Sequence, residues 1–419
     1  MPSPPSTDTW LGTDRRVLAL AVARMADAMG NSFLIIVLPL YVASEAVSGA
    51  LFGVPASLVA GTVLALFGIA SSLTQPWAGH LSDRAGRRKP FVIGGLLVFA
   101  VVNLSFAGAT QYWELFALRI VQGMAAAFTI TASLALVNEG SRAGERGAHM
   151  GVYNSFRLVG FGGGPLLASL LVEMGPFRLP GLPPITGFEA TFFVAGATAL
   201  LSTALVIVLV EDTTAVGTTR PSRLQIQVWD PEGRGLDSIF ALGLATLIMA
   251  ACMALLSAIE PEVNHRLDQG PILFSVEFVA LIAALAALQP VVGRASDSLG
   301  RKPFLLVGML ALVLTTVGQG FVHAPWQMIG VRVLQGIAGS MIFAPALALA
   351  GDLAEKGRSG AQLSVLTVAF GFGIAVGQLT AGALVPFGFA IPFLVGGAGA
   401  LVGLLLIKTQ VREPRTSPS

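Results

Sequence analysis

The 419 residues are 54% hydrophobic and only 11% Asp, Glu, Lys or Arg, against about 25% charged in an ordinary soluble domain. So few charges exclude a water-soluble surface, and a net charge of +2 with scattered basic residues excludes the basic stripe that nucleic-acid binding needs. The single cysteine, Cys252, excludes an internal disulfide. His80, His149, His265 and His323 lie too far apart in sequence for a zinc-type ligand set.

Apolar runs broken by charged or Pro/Gly residues fall at about 16–43, 51–78, 91–111, 113–138, 150–173, 190–210, 237–259, 272–292, 304–322, 325–350, 361–386 and 388–407. A bilayer core takes about 20 apolar residues per helix, so these runs predict twelve transmembrane helices. The fold class is therefore an all-α membrane protein. The polar stretch Met1 to Asp14 precedes a first run that is longer than a signal-peptide core and carries Asp27, so it reads as a retained span. No Lys follows a Gly anywhere. That excludes a P-loop, and with it an ATP-driven pump built on this chain alone.

Most basic residues fall in alternate connections: Arg15 and Arg16; Arg84 to Lys89; Arg142 and Arg146; Arg220, Arg223 and Arg234; Arg294, Arg301 and Lys302; Lys356 and Arg358; Lys408, Arg412 and Arg415. The opposite connections hold Arg178 and Arg266, while Arg24, Arg119, Arg157 and Arg332 fall inside runs. The positive-inside rule then puts both termini in the cytoplasm. The longest polar segment separates the sixth run from the seventh and predicts a linker, 211–236, between bundles at 1–210 and 237–419. Both halves carry one pattern. Gln75-Pro76-x-x-Gly79-x-x-Ser82-Asp83-x-x-Gly86-Arg87 recurs as Gln289-Pro290-x-x-Gly293-x-x-Ser296-Asp297-x-x-Gly300-Arg301. After a one-residue slip, Arg119-x-x-Gln122-Gly123 recurs as Arg332-x-x-Gln335-Gly336. This is an internal duplication of six helices, the parallel-repeat arrangement that builds a site between halves near the bilayer midplane.

The stretch from Gly79 to Lys89, read as a loop, resembles the signature loop of the major facilitator superfamily, and its repeat and the twelve-span layout fit the same family along nearly the whole chain. The resemblance implies a secondary transporter of two pseudo-symmetric six-helix bundles and a gating latch at Gly79, Asp83, Arg84, Gly86 and Arg87, with Asp297, Gly300 and Arg301 as the second copy. Asp83 and Arg87 are expected to pair or to cap helix ends. In the fifth run Gly151, Gly160, Gly164 and Pro165 are similar to the antiporter motif of drug-exporting members. Glycines four apart smooth a helix face, and Pro165 removes a backbone donor and bends the helix. Ordinary Gly-rich packing is the alternative.

The first run places Asp27-Ala28-Met29-Gly30 eight residues before Leu38-Pro39, a spacing similar to that of the twelve-helix drug–proton antiporters. Asp27 lies about 16 Å into the span at 1.5 Å per residue, where a carboxylate is costly and functional by default; a static pair with Arg24 is the alternative. Arg119 stays charged and belongs to a motif that the family links to proton coupling, with static bracing as its alternative. Glu277 and Arg332 lie at similar depth and are expected to pair. Arg157 would meet a polar or anionic substrate or neutralise an acid. Phe33, Phe128, Phe240 and Phe370 would line an apolar cavity or simply pack. The resemblance implies a monomer in the inner or plasma membrane that exchanges protons for drug-like or amphipathic solutes, with no cofactor, no metal and no enzymatic activity. A sugar or other small-solute exporter or importer is the alternative within the class, and a non-transporting receptor or scaffold is the alternative outside it.

Overall fold

A computed structural model describes residues 9–10, 13–44, 46–49, 53–140, 146–178, 180–181, 183–210, 227–230, 235–353 and 359–413. Most of the expected linker, the Arg142 connection and the segment with Lys356 and Arg358 lie outside the described residues, as do Arg220, Arg223, Arg234 and Arg415. The helices are α1 (Arg15–Ala43), α2 (Ala56–Ala85), α3 (Lys89–Ser105), α4 (Tyr112–Gly140), α5 (Arg146–Met174), α6 (Gly187–Leu209), α7 (Ser238–Ala254), α8 (Glu260–Leu267), α9 (Pro271–Leu299), α10 (Arg301–Gln319), α11 (Pro325–Leu353), α12 (Ser359–Leu384) and α13 (Ile391–Gln410). Among the described residues, twelve helices are long and apolar enough to cross a membrane. The eight-residue α8 is the exception. A two-residue antiparallel pairing, Thr9–Trp10 with Thr13–Asp14, precedes α1.

Two boundaries correct the sequence reading. The stretch read as a loop from Gly79 is helical through Ala85, and its repeat is helical through Leu299. Hydropathy marks where a helix leaves the hydrocarbon, not where its backbone ladder stops. The turns sit at Gly86 and Gly300, whose φ values of +63° and +92° suit glycine. The seventh run also breaks earlier than expected, passing through a 3₁₀ turn (Leu255–Ala258) into α8.

By contacts the chain divides into two compact units, Met1–Val37 with Ala70–Thr219 and Leu38–Ile69 with Arg220–Ser419. In the first unit α3 packs on α4 and α6, around a core that includes Ala19, Leu20, Leu96, Ala132, Tyr153 and Val206. In the second, α9 packs on α11, α7 on α12, and α10 on α11 and α13, with Leu242, Met249, Met309, Ile342 and Ala400 at the centre. Val208, Leu314 and Leu405 stay exposed on their helices. Such apolar faces suit lipid, while exposed Trp113 and Trp326, each one residue into its helix, suit the headgroup level.

The duplication extends to tertiary contacts. A Cβ on Gly95 would lie 2.8 Å from the carbonyl oxygen of Ala125, and one on Gly308 would lie 3.1 Å from that of Ala338. In both units a missing side chain lets equivalent helices, α3 on α4 and α10 on α11, approach closely. Buried clamps repeat as well. Arg119 donates to Gln122 Oε1 at 2.7 Å, and Gln122 Nε2 donates to Asn103 Oδ1 at 2.6 Å. Arg332 donates to Gln335 Oε1 at 2.7 Å, and Gln335 Nε2 donates to Thr316 Oγ1 at 3.4 Å.

Candidate functional site

Asp27 occupies the middle of α1 and is 4% exposed. Its carboxylate is paired with Arg24 one turn earlier, the i,i+3 spacing that puts two side chains on one helix face. The other oxygen, Oδ1, has no hydrogen-bond partner, and neither has Arg24 Nε. One carboxylate oxygen thus has a charged partner while the other is buried without a donor, a costly arrangement for an ionised acid.

α5 supplies the rest of the cluster. Tyr153 is buried, shares a 2.6 Å hydrogen bond with Ser133 of α4, and lies within electrostatic reach of Arg24, Asp27 and Arg157. Arg157 Nε donates to Asn154 Oδ1 at 3.0 Å. Tyr153 and Ser133 escaped the sequence reading, because a lone Tyr or Ser in an apolar run carries no spacing signal.

The glycine stripe explains why α5 comes so near. A Cβ on Gly160 would run into the carbonyl group of Met25, and one on Gly164 would sit 2.7 Å from Met29 O. Ser32 Oγ also reaches Gly160 O at 3.4 Å. Gly160 and Gly164 therefore seat α5 against the turns of α1 that flank Asp27. Gly151 has open space where a Cβ would go, with no neighbour within 4 Å, so that member of the motif makes no such contact. Pro165 lies one residue past Gly164, inside the helix.

Arg119 and Asp27 each have a partner of their own. Arg119 is 2% exposed and belongs to the Gln122–Asn103 clamp on α4 and α3, while the cation at Asp27 is Arg24. Glu277 and Arg332 are both buried and interact electrostatically. Their hydrogen bonds go elsewhere: Glu277 Oε1 accepts from Gln269 at 2.9 Å, and Arg332 donates to Met253 O at 3.1 Å and to Gln335. Among the phenylalanines, Phe33 is fully buried, Phe128 stacks on Phe91, and Phe370 contacts Phe343.

At the repeated turn the pairing arginine differs from expectation. Arg87 is exposed; Arg88 pairs with Asp83, donates to Ser82 Oγ at 2.8 Å, and reaches Glu139 Oε1 of α4 at 2.9 and 3.3 Å. Burial alone would lower the Arg88 pKa, but Glu139 and Asp83 outweigh it and the net shift is upward. The second unit repeats the network: Arg301 bonds Asp297 at 3.0 Å and Asp352 at 3.1 Å. Arg88 thus matches Arg301, Glu139 matches Asp352, and the one-residue slip between repeats falls before this arginine. Gly79 and Gly293 have open space where a Cβ would go, and Arg84 is exposed at the end of α2.

A family profile described as Major Facilitator Superfamily matches residues 20–236 and 242–419. The multidrug resistance protein MdtG of Salmonella typhimurium (strain LT2) is 25% identical over 305 residues, 72% of this chain and 71% of that protein. Two solved structures share the fold. A POT family transporter in complex with 5-aminolevulinic acid has a TM-score of 0.76 at 13% identity, covering 96% of this chain and 97% of that one. A bacterial homolog of the human lysosomal transporter Spinster, inward-facing and unoccupied, has a TM-score of 0.70 at 12% identity, covering 94% of each.

Proposed function

The chain belongs to the major facilitator superfamily, and from that premise we propose that this transporter exports drug-like or amphipathic solutes in exchange for protons. As a member it is an integral membrane protein that moves a small-molecule substrate and is not an enzyme. The observation that carries the reading is the cluster around Asp27: a buried acid with a free oxygen, its arginine one turn away, and a buried tyrosine, on two helices seated by glycines.

In this reading Asp27 takes a proton when the cavity opens to the acidic side and releases it when the cavity opens to the cytoplasm. Arg119 would join Asp27 in proton coupling, with static bracing through its Gln122–Asn103 clamp as the alternative, and Arg157 is the first polar contact offered to a solute. The efflux of drugs is supported by the likeness to MdtG. The protein would act as a monomer in the inner or plasma membrane, with six-helix bundles at 1–210 and 237–419 joined by a cytoplasmic linker at 211–236 and with both termini cytoplasmic. The end of α2 with its turn, carrying Gly79, Asp83, Arg84, Gly86 and Arg87, and the end of α9 with its turn, carrying Asp297, Gly300 and Arg301, would latch the cytoplasmic side. The test is transport in sealed vesicles under an imposed pH gradient, with a panel of dyes, antibiotics and sugars. Gradient-driven movement of dyes or antibiotics is the expected result; sugar movement alone, or indifference to the gradient, would overturn the reading.

A further inference from the structure

The second unit holds buried acids that the proposed cycle does not use. Glu260 opens α8 and is 0% exposed, and neither of its carboxyl oxygens accepts a well-formed hydrogen bond. Glu277, six residues into α9, is also 0% exposed, and its Oε2 has no partner. One amide ties the two helices together: Gln269 Nε2 donates to Glu277 Oε1 at 2.9 Å and to Asn264 Oδ1 at 3.3 Å. Asn264 stands four residues after Glu260, which puts both on one face of α8. That face therefore turns toward Glu277, and the two carboxyl groups interact electrostatically.

What is missing here is a donor. Glu260 Oε1 and Oε2, Glu277 Oε2 and Gln269 Oε1 are all acceptors without partners, and an ionised carboxylate buried in that state is prohibitively costly. Arg332, on α11, is the cation that faces Glu277; its Nη1 is engaged by Met253 O and Gln335 Oε1, and its Nε, although without a partner, forms no hydrogen bond with either carboxyl group. The other ionisable groups of α8 are Glu262, His265 and Arg266, and Asp268 follows the helix. Arg266 bonds Val322 O at 3.3 Å and stacks over Phe389 at 4.6 Å, so its charge is directed to the far connection. The 3₁₀ turn packed on α8 carries no ionisable side chain. Among the described residues no group of three or more His, Cys, Asp or Glu could hold a metal ion. A proton on a carboxyl group removes the cost of burying its charge without any further ligand.

We propose that Glu260 holds a proton on the face of α8 that the Gln269 bridge ties to Glu277, forming a second protonation site, in the second unit, at the end of α9 opposite the repeated turn. Burial holds the Glu260 acid well above the usual carboxylate range; Asn264 works against this and the Glu277 charge works with it. A cavity of about 510 Å³, lined by Pro261, Glu262, His265, Arg266, Val385 and Phe389, brings solvent to α8 and supplies an entry for the proton. Glu262, at that cavity, is itself shifted upward by burial. Only the site's place in a transport cycle rests on the proton-coupled reading above; its existence does not.

The test is infrared spectroscopy of the full-length protein in lipid nanodiscs, following the carbonyl stretch of protonated carboxylic acids across a pH titration. Wild type should keep such a band at neutral pH. Glu260→Gln should lose it, Glu277→Gln should shift its frequency because the acids are coupled, and Asp27→Asn should retain it. An unchanged band in Glu260→Gln overturns the proposal. Loss of the wild-type band on adding Na⁺ in place of choline also overturns it, by making the occupant a metal cation. Failure of the proton-coupled reading would appear differently: transport would ignore the pH gradient while the Glu260 band persisted.

Discussion

Replacing Arg88 rather than Arg87 should loosen the repeated turn in the first unit. Arg88 gives two hydrogen bonds to Glu139, one to Ser82 and an ion pair to Asp83. Hydrogen bonds to charged groups contribute about 1.5–3 kcal/mol each. The Glu139 and Asp83 side chains remain 31% and 57% exposed, so solvent screens them and the Asp83 pair adds at most about 1 kcal/mol. Counting one bond to Glu139 and the bond to Ser82 at the low end gives about 2–3 kcal/mol. At about 1.4 kcal/mol per decade, local opening should become roughly 30- to 100-fold more frequent. The assay is hydrogen exchange of the full-length protein in nanodiscs, read on peptides covering the end of α2 and the start of α3. Arg88→Gln should accelerate exchange there by that factor, and Arg87→Gln should change it less than about threefold, the range of ordinary surface substitutions. Equal protection in the two variants, or a larger effect at Arg87, would refute the assignment of Arg88 as the pairing residue.

Gly160→Leu drives a side chain into the Met25 carbonyl, an overpacking worth about 2 kcal/mol; export should fall about thirtyfold at equal membrane abundance, whereas Gly151→Leu, placed in open space, should export normally. Glu260 is protonated in the folded state and ionises in the unfolded chain, so the folded protein binds more protons above pH 4.5, and stability should fall by about 1.4 kcal/mol per pH unit from there up to the folded pKa. Thermal unfolding of Glu260→Gln should lack that component, and parallel pH profiles for variant and wild type would contradict it. For topology, after Cys252→Ser, Arg87→Cys should resist an impermeant thiol reagent in intact cells and Pro183→Cys should react; the reverse pattern would invert the orientation.

The helices and their duplication were legible because crossing a bilayer demands long apolar runs, and because Gly, Pro and Arg recur at fixed spacing in both halves. Asp27 was legible for a related reason: a lone acid in such a run stands out. The partners were not. Arg88 sits beside Arg87 in a run of basic residues, and only the three-dimensional match to Arg301 and Asp352 separates them. Tyr153 and Ser133 join Asp27 through the packing of α4 and α5, which no local spacing encodes. Glu260 was hidden because it falls in a connection that reads as solvent-exposed, whereas α8 folds back and buries it.

The most direct test of the central claim is proton release on substrate addition to purified protein, compared between wild type and Asp27→Asn. The asparagine mimics the protonated acid, so the variant should fold, reach the membrane and bind substrate. It should nevertheless release no proton from this site and support no uphill export, while Asp27→Glu retains part of both. Proton release and uphill transport undiminished in Asp27→Asn would contradict the account, leaving Asp27 a static partner of Arg24.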